Sequence, residues 1–230
     1  MNSNRIKAKV TGILLISCMV AGILSIAPAI DAPDFLIRAA ANSNQVIIGA
    51  IFQFIMSIAY LGVAIILYPI LRKFNDSLAL GFLSFRIIAS VFIIIGTVFL
   101  LLILTLSQEF VKAVPQDSSH FQILGDLLRM GRDLVNHVFM ILALSVGSLM
   151  FYFILFRTRL IPRWLSVWGL LGTTSTMLAS LLVMFHSIDI ITPVYFILNT
   201  PIALLEIILA IWLIANGFDN SVIELITDKE

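Results

Sequence analysis

Charge is scarce in this chain. Of 230 residues, 14 are Lys or Arg and 13 are Asp or Glu, which is 12% together and leaves a net charge of +1. A soluble globular chain carries about twice that charged fraction. With no block of one sign, nothing here draws a nucleic acid or a strongly charged partner. Cysteine is almost absent too. Cys18 stands alone, so an internal disulfide framework and a cysteine-based zinc cluster are both excluded. The H-E-x-x-H, G-x-S-x-G, P-loop and dinucleotide-binding patterns are missing as well, and the sequence gives no positive sign of enzyme chemistry or of a cofactor.

What fills the chain instead is apolar. Hydrophobic residues make up 60% of it, and the mean hydropathy is +1.10. That composition belongs to an integral membrane protein, whose partner is the lipid bilayer. A helix crossing about 30 Å of hydrocarbon needs about 20 mostly apolar residues. Six segments meet that length: Val10 to Ile30, Val46 to Ile70, Leu78 to Leu106, Leu134 to Phe156, Trp164 to Phe185, and Pro193 to Phe218. The expected fold is all-α, a single transmembrane domain over residues 1–230 built as a bundle of six helices. The first segment follows a basic stretch and contains "APA", as a cleaved signal would, but its apolar run exceeds the about 7 to 15 residues of a signal core, so it reads as a retained span.

Cationic residues set the orientation. Arg5, Lys7, Lys9, Arg72, Lys73, Arg157, Arg159, Arg163 and Lys229 fall on one side of such a bundle, against Arg38, Lys112, Arg129 and Arg132 on the other. The positive-inside bias then makes both termini cytoplasmic. Trp164, Trp168 and Trp212 lie toward the same side, where amphipathic rings anchor at the interface. The long outward loop before the fourth span carries Phe121, Leu124, Leu127 and Leu128 at helical spacing. This predicts a short interfacial helix running into that span.

Polar residues inside the spans mark faces that pack on one another, because lipid offers no hydrophobic force between helices. Ser145, Ser148 and Tyr152 form one such stripe, and Thr173, Thr176 and Ser180 another. The most conspicuous interruption is Arg86, in "LGFLSFRIIASVFIII". A central arginine costs about 2.5 to 3.5 kcal/mol on insertion scales, so it needs a partner or a wet cavity. At 1.5 Å per residue, Arg86 lies about 12 Å and Glu206 about 18 Å from the cytoplasmic boundary. An ion pair between them is expected, flanked by Gln53, Tyr60 and Asn199. That pair either fastens two helices or lines a path for a small solute, a proton or an ion. Pro201, five residues before Glu206, is a place where the sixth span could break. A weaker constellation at the outer face joins Asp133 and His137, spaced i and i+4, to His186 and Asp189, residue types that share metals or relay protons.

Taken together, "NQVIIGAIFQFIMSIAYLGVAIILYPILRKFNDSLALGFLSFRIIASV", "LTLSQEF", "LIPRWLSVWGLLG" and "LNTPIALLEIILAIWLIANGF" resemble the bacterial membrane proteins grouped as domain of unknown function 4386. The resemblance covers nearly the whole chain. It implies a multi-pass protein of the bacterial inner membrane and supports retention of the first helix, but it brings no substrate and no functional residues. Three functional readings follow from the residues: transport through a polar interior around Arg86 and Glu206, a structural or regulatory membrane protein, and an intramembrane enzyme at the outer cluster. Protein partners and oligomeric state are open.

Overall fold

Apolar runs this long can satisfy their backbone polar groups in lipid only by coiling, and the computed structural model, whose described residues are 3–112, 118–219 and 221–222, is built of helices joined by short turns, with no strand among those residues. Nine helices are described: α1 (Ser3–Leu24), α2 (Pro28–Asp31), α3 (Phe35–Ala41), α4 (Ser43–Leu71), α5 (Asp76–Phe110), α6 (Ser118–Asp133), α7 (Met140–Thr158), α8 (Arg163–Met184) and α9 (Pro193–Ala215). A π-turn, Leu134–Phe139, joins α6 to α7 without a break. Six helical stretches are long and apolar enough to cross a membrane, namely α1, α4, α5, α6 through α7, α8 and α9. The chain is a multi-pass membrane protein.

The first span begins and ends earlier than its apolar run suggests. Helix α1 stops at Leu24 because Ala27 precedes a proline and takes up φ −118°, ψ 82°, after which Pro28 opens α2. The helix expected to run into the fourth span is α6, continuous with α7 through the π-turn. Ser119–Thr158 covers 40 residues, or about 60 Å of helix, roughly twice a hydrocarbon core.

In sequence order the crossing helices pack side by side as α1, α4, α5, α7, α8 and α9, and α9 then packs on α1. The bundle is a closed ring. Closure is tightest at Gly12, where a Cβ would stand 2.6 Å from the Ala210 carbonyl oxygen, so only glycine lets α1 and α9 approach this far. Below it, Gly217 lies against Ala8 and Arg5, which brings the first and last helices together at one end. We call this the termini end and its opposite, which bears α2, α3 and the α8–α9 loop, the hairpin end. Helices α4 and α5 are clasped midway by a reciprocal pair of bonds, Ser57 Oγ to Ser90 O (3.1 Å) and Ser90 Oγ to Ser57 O (3.2 Å).

Two apolar clusters fill the ring unequally. At the termini end, Leu15, Leu67, Phe82, Phe151, Leu155, Leu165, Leu205 and Leu213 bring all six crossing helices into one buried core. At the hairpin end, a smaller cluster packs Ile30, Phe35, Leu36 and Ala39 of the α2–α3 segment on Val46, Leu100, Ile103 and Leu104.

Candidate functional site

The interior of the hairpin half is hollow, with mainly apolar walls and a few polar side chains. A chamber of about 440 Å3 is lined by Gln53, Asn136, His137, Tyr195, Asp31 and Arg132, with Met56, Leu100, Met140, Ile191 and Phe196 among its apolar walls. The elements that position it come from nearly the whole ring. Gln53 is held by Thr97 Oγ1, which donates to its Oε1 at 2.9 Å. Asn136 sits over Gly96, whose missing side chain leaves the space that its carboxamide occupies. His137 Nδ1 and the Tyr195 hydroxyl share a hydrogen bond of 3.1 Å, and Ser180 Oγ donates to the His137 carbonyl at 2.9 Å. Asn136 and His137 both lie in the π-turn, a helical irregularity that occurs often at functional sites because it redirects side chains.

A charged latch crosses the chamber wall. Arg132 Nη2 reaches Asp31 Oδ1 at 2.6 Å and Asp133 Oδ1 at 2.7 Å, and only 10% of the Arg132 side chain is exposed. Beside it, the Arg129 guanidinium lies 4.6 Å from the centre of the Phe35 ring. Together these contacts tie the α2–α3 segment to the end of α6.

Deeper in the ring is a second cavity of about 100 Å3, between α7, α8 and α9. Ser145, Ser148, Thr173, Thr176, Asn199 and Glu206 line it, with Ile141, Leu144 and Ile202. Bonds link it to the chamber above: Asn199 Nδ2 donates to the Tyr195 carbonyl at 2.8 Å, and Thr176 Oγ1 donates to Asn199 Oδ1. Two hydroxyls on its wall, Ser145 Oγ and Thr173 Oγ1, are buried with no hydrogen-bond partner.

Arg86 is buried beside this cavity, with 4% of its surface exposed. Among the described residues its one hydrogen bond runs from Nη2 to Ser148 Oγ at 3.2 Å, and its Nε and Nη1 have none. The guanidinium carbon stands 5.2 Å from the centre of the Tyr60 ring and 5.3 Å from that of Phe82, so two aromatic faces take up much of its charge. The expected direct ion pair with Glu206 does not form: among the described residues, no carboxylate stands within 4 Å of Arg86. The two side chains act on each other through space, and Cys18, Tyr60 and Tyr152 lie within the same field. A helix-depth argument places two residues at similar heights but leaves their separation across the ring undetermined, and here Arg86 bonds instead to Ser148 of α7, which lines the cavity that holds Glu206.

Of the sequence-derived residues, Asn199 and Glu206 line the inner cavity, Arg86 reaches it only through Ser148 and carries Tyr60 against its guanidinium, and Gln53 belongs to the outer chamber. The four-residue outer cluster does not assemble. Asp133 is engaged by Arg132, and His137 by Tyr195. His186 is exposed at φ 53° in the turn that ends α8, where its N–H bonds to Val183 O and that of Ser187 to Leu182 O. That is a Schellman cap. Asp189 is exposed in the loop beyond, and its carbonyl accepts from Thr192 Oγ1. Among the described residues, no three His, Cys, Asp or Glu side chains are grouped to hold a metal. Pro201 does not interrupt α9, which continues from Pro193 to Ala215 with Gly172 of α8 packed against the proline's backbone.

Asn136, Asp31 and Arg132 were not singled out by sequence reasoning, and Ser145, Ser148 and Thr173 were read only as packing stripes.

No curated protein and no solved structure matches the chain. A family model does, over residues 10–217, a range that takes in most of α1, all of the other crossing helices and both cavities. The chain belongs to the family described as domain of unknown function (DUF4386).

Proposed function

We propose that the protein carries a small polar solute across a bacterial inner membrane, with the hairpin end outward and the termini in the cytoplasm. The orientation follows from the excess of Lys and Arg at the termini end. One observation carries the transport reading. Polar groups line the outer chamber and a second, separate cavity at Glu206, the two joined by the hydrogen bond from Asn199 to the Tyr195 carbonyl, and the apolar core shared by all six crossing helices closes the termini end. A chamber of about 440 Å3 with apolar walls and a few convergent polar groups has the size and character of a small-molecule site. A buried arginine without a carboxylate partner among the described residues, beside a cavity holding a glutamate, favours a conduction or coupling path over simple helix fastening. On this reading the structure has its interior open to the outside and closed by leucine and phenylalanine toward the cytoplasm.

Single cysteines in a Cys18→Ala background test the arrangement. A membrane-impermeant maleimide added outside intact spheroplasts is expected to label Asn136→Cys readily and Ser145→Cys more slowly, and to leave Leu67→Cys untouched. If all three stay unlabelled, the interior is dry, the polar groups serve helix packing, and the transport reading falls. The metabolites retained or lost by a deletion strain then identify the solute.

A further inference from the structure

The cavity at Glu206 has a donor set of one chemical kind. Its polar lining consists of the Glu206 carboxylate, the Asn199 carboxamide and the hydroxyls of Ser145, Ser148, Thr173 and Thr176. Apart from the Asn199 amide nitrogen, which is spent on the Tyr195 carbonyl, every polar side-chain atom there is an oxygen. Hydrogen bonding leaves these oxygens with lone pairs to spare. Thr176 donates its proton to Asn199 Oδ1, and Ser148 Oγ accepts only from Arg86. Among the described residues Ser145 Oγ and Thr173 Oγ1 have no hydrogen-bond partner, although their residues are only 2% and 1% exposed. Two orphaned hydroxyls lining one cavity are costly unless something binds there.

We propose that this cavity is a binding site for a monovalent alkali cation, sodium, coordinated by Glu206, Asn199, Ser145, Thr173 and Thr176. Hard cations take oxygen ligands, and neutral hydroxyl and carbonyl oxygens around a single carboxylate suit a single positive charge. A divalent ion is disfavoured, because one carboxylate in the field of Arg86 supplies too little negative charge. Transition metals lack their nitrogen or sulfur ligands here. The space fits as well: about 100 Å3 accommodates the ion with about two waters at roughly 30 Å3 each. Arg86 does not occupy the site. Its guanidinium is turned against Tyr60 and Phe82 and touches the cavity only through Ser148. The proposal deepens the transport reading by naming its coupling ion and in that sense rests on it, but binding can be measured with no solute present.

The test uses the full chain purified in detergent, with chloride salts of sodium, potassium or choline at constant ionic strength and pH. Thermal unfolding and 22Na+ binding by scintillation proximity are the readouts. Sodium is expected to raise the melting temperature saturably where choline does not, and to give stoichiometric 22Na+ binding. Thr173→Val and Ser145→Ala, which remove an oxygen without adding charge, should each weaken half-saturation by about tenfold or more. Glu206→Gln should abolish the response. Ser166→Ala deletes another buried orphaned hydroxyl, one outside the cavity lining, and should keep it. The proposal is overturned by an equal response to choline, by absence of 22Na+ binding to the folded wild type, or by unchanged sodium affinity in both Thr173→Val and Ser145→Ala. A protein stabilised by acid alone, with no sodium response at any pH, would make Glu206 a protonation site and overturn it too. Each outcome is independent of whether the Asn136 and Ser145 cysteines label, so failure of the ion site and failure of the transport reading remain distinguishable.

Discussion

The two ends of the ring are built on opposite rules. At the termini end, side chains from all six crossing helices meet in one apolar core, and Leu67, Phe82, Leu155 and Leu165 are fully buried there. At the hairpin end the centre is left hollow, the apolar cluster moves aside to α2, α3, α4 and α5, and charged or amide side chains line the space that remains. In lipid, dense packing is what holds helices together. The filled half therefore maintains the ring, and the hollow half is free to hold something else. Arg86 lies at the junction, with Phe82 and Tyr60 on one side and Ser148 on the other.

Emptying the filled half should do the most harm. Phe82 is wholly buried and stacks on Phe151 with ring centres 5.1 Å apart. Phe82→Ala is expected to cost about 3 kcal/mol or more through the cavity it leaves, and to remove an aromatic face from Arg86. The measurement is the melting temperature in detergent, with Phe82→Leu as the volume control. A drop no larger than that of Phe82→Leu would mean that the core at the termini end is not what holds the ring.

Breaking the latch of the hollow half should cost less and act locally. Asp31→Asn leaves Arg132 with Asp133 alone, and a loss of about 1 to 2 kcal/mol is expected for one partner of a partly buried charge-assisted bond. Hydrogen exchange should rise in α2 and α3 and stay unchanged in α7 to α9. If exchange rises throughout the ring instead, the two halves are not separable units of stability.

The smallest effect lies on the rim. Asp34 accepts from Arg38 Nε at 2.7 Å on the exposed face of α3, and this hydrogen bond holds its carboxyl below the ordinary carboxylate range. A depressed folded-state value contributes stability that is present above the unfolded value and is lost as pH falls through the folded one. Solvent screens an exposed pair of this kind. Acidification through the carboxylate range is therefore expected to loosen α3 slightly in hydrogen exchange, and Asp34→Asn to flatten that dependence. A large effect would show that the rim is coupled to the chamber.

Much of the architecture is legible in the residues because lipid imposes a simple rule: about 20 apolar residues make a crossing helix. The six runs and the polar breaks between them follow from that rule alone. Arg86, Glu206, Gln53 and Asn199 stand out for the same reason, as polar groups where lipid permits few. What the rule does not encode is which helix faces lie opposite across the ring. The depth estimate for Arg86 and Glu206 was one-dimensional, and the structure answers it with Ser148 from a third helix. His186 looked like a ligand by residue type, but the backbone uses it to close α8, because a positive φ satisfies two carbonyls there. The contact between Asp31 and Arg132 joins residues about a hundred positions apart and has no local signature.

The closure of α9 on α1 has a topological consequence. Helices laid round a ring in chain order, with the last against the first, make a circle that lacks a single covalent connection. A short linker between Phe218 and Arg5 would supply that connection, and the chain could then be opened at another turn of the termini end, such as 72–75 or 159–162, while every helix kept its neighbours. The order of the helices around the circle specifies this fold, and the place where the chain starts is incidental to it.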